Sequence, residues 1–316
     1  AGVSMIIRDF RKSDLEDVIE CTMKSFADEF EIMGFDPDVW RKMVRRRFAI
    51  TGRVLFGLFR LLDREPIKFF VADVDGRVVG TTMLNRRRNS CYISTVMVRP
   101  DFRRKGIAAS LLKTAIDYAQ KRELPKAILQ VSSTNDAAKP LYRKLGFEKF
   151  EETLYFTADV DSLLGSERAE GVQVRDFEKP DEDAVYELIK RSRDQKSLEV
   201  YNFQKKDLRT SFWNRMARMA SVKKIVAVKD EKIVGYASVS CTSKKEAGRV
   251  TSLDVSPEMT SKGIEEELLW AGASYAKSFG SKTVLVIVPL RNEELVERLE
   301  GLGLRKQIVM EGMLLQ

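Results

Sequence analysis

The sequence predicts a mixed α/β fold, written twice in tandem. Three observations carry this expectation. Apolar runs with a β period alternate with runs of helical period. Glycine-bearing turns separate them at recurring places. The whole order then repeats about 157 positions later: RPDFRRKGIA at 99–108 returns as SPEMTSKGIE at 256–265.

Taken in order, IRDFRKSDLEDV (7–18) returns as VRDFEKPDEDAV (174–185), a strand start followed by a helix. Ser13 and Glu16 are spaced as a capping box. Leu15, Val18, Ile19, Met23 and Phe26 then recur at helical spacing. FVADVDGRVVGTTML (70–84) returns as IVAVKDEKIVGYASV (225–239). Each is a hairpin of two β-rich runs, turned at Asp75-Gly76 or at Asp230-Glu231. YISTVMVRP (92–100) is a strand ended by Pro100, and Gly106 opens a helix whose Ile107, Leu111, Leu112, Ala115 and Ile116 face inward. KAILQVSSTND then gives a second strand, Asn135 as an N-cap and a short helix stopped at Gly146. LGFEKF (145–150) echoes in LGLRKQ (302–307). Each copy should be a mostly antiparallel sheet flanked by helices, with one V-shaped parallel strand pair inside it. The expected division is 5–157 for the first domain, with an extra helical insert at about 38–65. A linker at 158–171 and a second domain at 172–316 follow.

Composition narrows the chemistry. With 44% hydrophobic and 32% charged residues in 316, the chain reads as a soluble globular protein. It has no histidine, which removes Ser-His-Asp and Cys-His hydrolysis and every histidine-ligated metal site. The three cysteines, Cys21, Cys91 and Cys241, have no spacing that suggests a disulfide framework or zinc. No metal is expected. No apolar run reaches the length of a bilayer and no signal-peptide pattern opens the sequence. A cytoplasmic protein without a membrane span is therefore expected. The net charge of +8 is uneven: residues 1–158 carry 29 Lys/Arg against 21 Asp/Glu, and residues 159–316 carry 26 of each. The first half should be the one that meets an anion.

The turn at 99–108 offers a place for one. A helix N-terminus presents free N–H donors and partial positive charge. Gly106 and Ala108 leave the backbone open, and Arg103, Arg104 and Lys105 add cations. The same residues also suit a solvated basic turn before a surface helix. Taken together, R-x-x-G-x-A at 103–108 and N-x-x-A-x-x-L-Y-x-x-x-G-F at 135–147 resemble the GNAT superfamily of acetyl-CoA-dependent N-acetyltransferases. The resemblance covers residues 70–150 well, and the first domain is similar to ribosomal-protein alanine and protein N-terminal acetyltransferases. It implies that the backbone of Val96, Met97 and Val98 meets the pantetheine arm, with the Val98 N–H as oxyanion donor. It further implies that Arg103, Arg104, Lys105, Gly106, Ile107 and Ala108 hold the diphosphate, that Asn135 lies beside the pantetheine, and that Tyr142 is the general acid. Members resembling the alanine acetyltransferases carry a glutamate five residues before the asparagine; here that position is Gln130. A glutamine can orient water or the amine but takes no proton at neutral pH. Deprotonation is left to water, to Glu29, Glu31 or Glu151, or to an amine that arrives neutral.

The second copy keeps Asn292 at the Asn135 position but has Leu299 for Tyr142 and Ile287 for Gln130. Thr260 and Ser261 replace Arg103 and Arg104, and Glu265 replaces Ala108. A catalytically silent copy is expected. Two basic runs, RKMVRRRF (41–48) and NRRRNS (85–90), read either as solvated charge or as recruitment of an anionic partner. No aromatic platform accompanies them, so nucleic acid is not the expected partner. The apolar stretch at 48–62 should pack over the core or line a cleft rather than lie on a membrane. The expected activity is acetyl transfer from acetyl-CoA to an amine (a protein N-terminus, a lysine or a small amine) by direct attack, in a monomer or dimer. The alternative is a CoA-responsive regulatory module whose basic first domain engages nucleic acid or an acidic protein.

Overall fold

In a computed structural model, the described residues are 5–25, 37–47, 67–165, 171–209, 221–241, 247–260, 262–291 and 293–316. They pack as two units. One takes the described residues of 5–25, 37–47, 67–149 and 312–316; the other takes those between 150 and 311.

The first unit begins with β1 (Met5–Asp9) and the helices α1 (Leu15–Ser25) and α2 (Pro37–Arg47). Then come β2 (Ile67–Val74), β3 (Arg77–Arg86), β4 (Cys91–Val98), α3 (Ile107–Lys121), β5 (Ala127–Ser132) and α4 (Lys139–Lys144). Its strands lie in the order β1-β2-β3-β4-β5, with β12 (Arg305–Leu315) next to β5. Neighbours from β1 to β4 are antiparallel; β4 and β5 are parallel. The β2–β3 turn falls at Asp75-Gly76, both at positive φ, and this is the twist-compatible form of a two-residue hairpin. Ile107, Leu111, Leu112 and Ala115 of α3 are buried on the sheet with Leu84, Ile93 and Leu129.

The second unit repeats this plan. It holds β6 (Glu148–Asp159) and α5 (Val160–Leu164), then β7 (Gln173–Asp176), α6 (Glu182–Ser192) and α7 (Gln195–Tyr201). β8 (Ser221–Lys229), β9 (Lys232–Cys241), β10 (Gly248–Val255), α8 (Ile264–Phe279), β11 (Thr283–Pro289) and α9 (Glu293–Gly301) follow. Its order is β6-β11-β10-β9-β8-β7, with the parallel pair at β10 and β11.

Two expectations from the sequence change here. The strand after the first domain's last glycine turn pairs with β11, from Thr153 opposite Pro289 to Asp159 opposite Thr283. Its Leu154, Phe156 and Ala158 enter the core of the second unit, while residues 312–316 belong to the first. The chain's packing therefore divides near 150 and not at 157. The expected linker is structured at its start: Asp159 caps α5, whose Val160 and Leu163 are buried. The second change concerns the cap before α1. Asp14, not the Ser13–Glu16 pair, accepts from the Arg11 N–H at 2.6 Å, and Arg8 grips both of its oxygens. Asp181 does the same with Glu178 N–H and Arg175. Glu16 instead pairs with Arg45 of α2. Residues 48–62, Glu29, Glu31, Ser261 and Asn292 lie outside the described residues.

Candidate active site

The site is built where β4 leaves its neighbours. β4 and β5 pair only at Cys91 opposite Ala127 and Tyr92 opposite Ile128, and beyond that point they separate. On its other edge β4 carries a bulge: the register with β3 slips between Thr81 and Met83, and Thr95 takes a φ of 53°. A β-branched residue there is strained, and bulges of this kind re-aim a strand. After the bulge, Arg99 N–H donates to Val79 O at 2.8 Å. In an antiparallel ladder alternate residues turn their amides to opposite edges. Met97 therefore spends its amide on β3, and Val98 turns its own toward the gap left by β5. The Val98 carbonyl accepts from Arg103 Nε at 3.2 Å, so the basic turn and the strand end are tied together.

The turn itself follows the sequence expectation. Gly106 precedes α3 at φ 78° and ψ −1°, a conformation that glycine adopts without the Cβ penalty. A Cβ at this position would meet nothing within 4 Å, so the surface over it is open. The first intrahelical acceptor used is Gly106 O, which takes the Ser110 N–H. The N–H groups of Ile107, Ala108 and Ala109 precede that bond and form the positive end of α3. Arg103, Arg104 and Lys105 are exposed around them. Lys105 Nζ lies 4.9 Å from the Phe102 ring centroid and donates to Asp101 O. Open N–H groups with three cations around them are a donor set whose chemistry suits an anion such as a diphosphate.

Beyond β5, the Asn135 carbonyl oxygen Oδ1 accepts from Ala138 N–H at 3.0 Å and sets the turn into α4. That helix carries Tyr142, which is buried edge-on to Phe147 with ring centroids 6.2 Å apart. Burial pushes its phenol up to about 12, so it keeps its proton throughout the neutral range. Gln130 is half-buried on β5, and its Oε1 accepts from Tyr92 OH at 3.1 Å. Tyr92 was missed by sequence reasoning. The period-2 face it shares with Ser94 was a usable signal, and Asn85 Nδ2 donates to that Ser94 Oγ at 3.1 Å. Arg87 stacks over the Tyr92 ring at 5.3 Å. Glu151, one of the proposed bases, belongs to the second unit; Ser197 Oγ and Tyr201 OH hold its carboxylate.

The Acetyltransferase (GNAT) family model matches residues 26–147 and again 183–303. The chain belongs to this family. An uncharacterized N-acetyltransferase of Methanocaldococcus jannaschii, MJ1207, is 32% identical over 152 residues, 46% of this chain. That match covers 61% of the archaeal relative. The acetyltransferase plu1384 of Photorhabdus laumondii is 33% identical over 156 residues, 48% of this chain and 94% of its own length. In structure, a tandem GNAT protein from the clavulanic acid biosynthesis pathway aligns with a TM-score of 0.65 at 17% identity, over 99% of this chain and 98% of its own. A GCN5-related N-acetyltransferase from Sphaerobacter thermophilus aligns at 0.64 and 18%, over 98% and 95%. At such identities these two show a shared fold.

The second GNAT fold keeps this backbone and changes its side chains. Ser256 N–H donates to Val234 O, as Arg99 does to Val79, and β10 slips its register against β9 between Val250 and Ser252. Gly263 precedes α8 at φ 78° and ψ 6°. Yet Leu299 lies fully buried in the Tyr142 position. Arg193 Nε donates to Asp254 Oδ1 at 2.6 Å and its Nη2 to Ser252 Oγ at 2.9 Å, so the end of β10 is tied to the protein itself. At the start of α8, Arg298 Nη2 reaches Glu265 at 3.2 Å and Glu266 at 2.6 Å. Burial pushes the Glu265 carboxyl up from its ordinary value, against its own backbone N–H and Arg298, which pull it down.

Proposed function

We propose that the first GNAT fold is an N-acetyltransferase that moves an acetyl group from acetyl-CoA to an amine by direct attack, and that the second fold is catalytically silent. The observation that carries this reading is the end of β4. The Val98 amide faces the gap between β4 and β5, just ahead of the open N–H groups and three cations of the Arg103–Ala108 turn.

Acetyl-CoA supplies an activated acyl group and a thiol leaving group. Ile107, Ala108, Arg103, Arg104 and Lys105 would hold its diphosphate, and Gly106 would let it approach the main chain. Val96, Val98 and Asn135 would line the pantetheine arm, with Met97 packing beneath. The Val98 N–H would stabilise the oxyanion formed on amine attack. Tyr142 then donates a hydrogen bond to the sulfur as the C–S bond breaks. With a phenol at about 12 it keeps its hydrogen at neutral pH and remains a donor, and the proton lost by the amine finally balances the thiolate. Gln130, oriented by Tyr92, holds a water or the amine through the remaining lone pair of its Oε1.

The acceptor is tested directly. Peptides with free and blocked N-termini, lysine peptides and small amines should be incubated with acetyl-CoA, with thiol release and product mass measured. Turnover of one acceptor class supports the reading. CoA binding with no turnover of any class, together with salt-sensitive RNA binding, would replace it with a regulatory module.

A further inference from the structure

The second GNAT fold retains the left-handed glycine and the helix start that end the Arg103–Ala108 turn, and sets its own side chains against them. At a helix start the N–H of the second residue has no intrahelical partner. In the first fold that donor belongs to Ala108. In the second it belongs to Glu265, which sets a carboxylate in the first turn of the helix. The same carboxylate and that of Glu266 converge on Arg298 Nη2 from α9. The three side chains are largely withdrawn from solvent, at 4%, 18% and 20% exposure for Glu265, Glu266 and Arg298. Their counterparts in the first fold are Ala108, Ala109 and Leu141, all uncharged. Two acids and the base that clamps them have been exchanged as a set, from two helices 33 residues apart.

We propose that this triad is an intramolecular closure: the Glu265 and Glu266 carboxylates, fixed by Arg298, set negative charge beside the helix end that would receive a coenzyme diphosphate in the first fold, and so exclude it. The inference rests on the reading that the second fold is silent, and it says why. Exclusion here is electrostatic rather than a loss of shape, because Gly263 repeats the Gly106 conformation within a few degrees. A diphosphate reaching α8 would meet two carboxylates with Arg298 already shared between them, and of the first fold's three turn cations only Lys262 has a counterpart. Replacing the carboxylates with amides removes the repulsion while keeping their shape and their ability to accept from Arg298.

The test is the stoichiometry of CoA binding by the full chain, measured by calorimetry with thermal melting as a check on folding. Three proteins are compared: wild type, Glu265→Gln/Glu266→Gln, and Glu265→Ala/Glu266→Ala/Thr260→Arg. One equivalent is expected for wild type and two for each variant, the added one weakened by raising salt. Two equivalents in wild type would remove the silent reading itself. One equivalent in wild type and one in the folded glutamine variant would overturn the closure while leaving the silent reading in place. The glutamine pair decides the matter even where the triple variant does not fold.

Discussion

Replacing Tyr142 with phenylalanine isolates one hydroxyl. The ring is 7% exposed and meets Phe147 edge-on, and phenylalanine preserves both conditions. Melting at neutral pH should therefore stay close to wild type, and CoA affinity should change less than about twofold. Turnover should fall by roughly 10²–10³, the usual effect of losing a positioned donor at a breaking bond. A second, independent readout comes from alkali. The phenol stands at about 12 in the folded chain against 10.0 when unperturbed. Between these values the unfolded chain ionises and the folded chain does not, so the unfolded state binds fewer protons and stability falls as pH rises. The difference corresponds to roughly 3 kcal/mol, lost from pH 10 upward and fully lost above 12. Urea midpoints at intervals across that range should show wild type losing this amount relative to Tyr142→Phe. A variant with turnover within threefold of wild type, or one losing affinity and rate together, would refute the donor role. Parallel alkaline curves would refute the buried phenol.

Arg103→Lys keeps a cation for the diphosphate but loses the Nε bond to Val98 O. The KM for acetyl-CoA should stay within about threefold while kcat falls about tenfold, because the strand end loosens; steady-state kinetics separates the two. Tyr92→Phe releases Gln130 Oε1 and should lower kcat about tenfold without changing CoA binding, as seen by calorimetry. Asp254→Ala strips Arg193 of its carboxylate in the second unit and should cost about 3 kcal/mol in urea unfolding, with the number and affinity of CoA equivalents unchanged.

What the sequence revealed was mostly local. The turns at Asp75-Gly76 and Asp230-Glu231, the left-handed Gly106 and the apolar face of α3 each depend on neighbours within a few residues, and each is found. The cap of α1 failed for a local reason too. The Ser13–Glu16 spacing matched a known box, but a buried Asp14 with Arg8 offered two charge-assisted bonds where a serine offers one. Distance hid the rest. Nothing within residues 148–159 says which sheet they join, since β6 finds its partner more than 120 positions later. Tyr92 reaches Gln130 across 38 residues, and only the splayed strand pair brings them together. The loss of charge at Thr260 and Ser261 was visible in sequence; the clamp of Arg298 on Glu265 and Glu266 was not.

The duplication separates what the fold requires from what the chemistry requires. Both copies keep a left-handed glycine ahead of the central helix, the bulged strand and the Arg–Asp pair before the first helix. These features shape the backbone. The residues that differ are those that would touch a ligand: Arg103, Ala108, Gln130 and Tyr142 against Thr260, Glu265, Ile287 and Leu299. At the arginine positions the twin has the neutral Thr260 and Ser261, and where the first copy has Ala108 and Ala109 it has Glu265 and Glu266, at 3% and below one-fifth exposure, with Arg298 to hold them. On the proposed reading, a copy with no cofactor to place at its helix end has supplied anions of its own there.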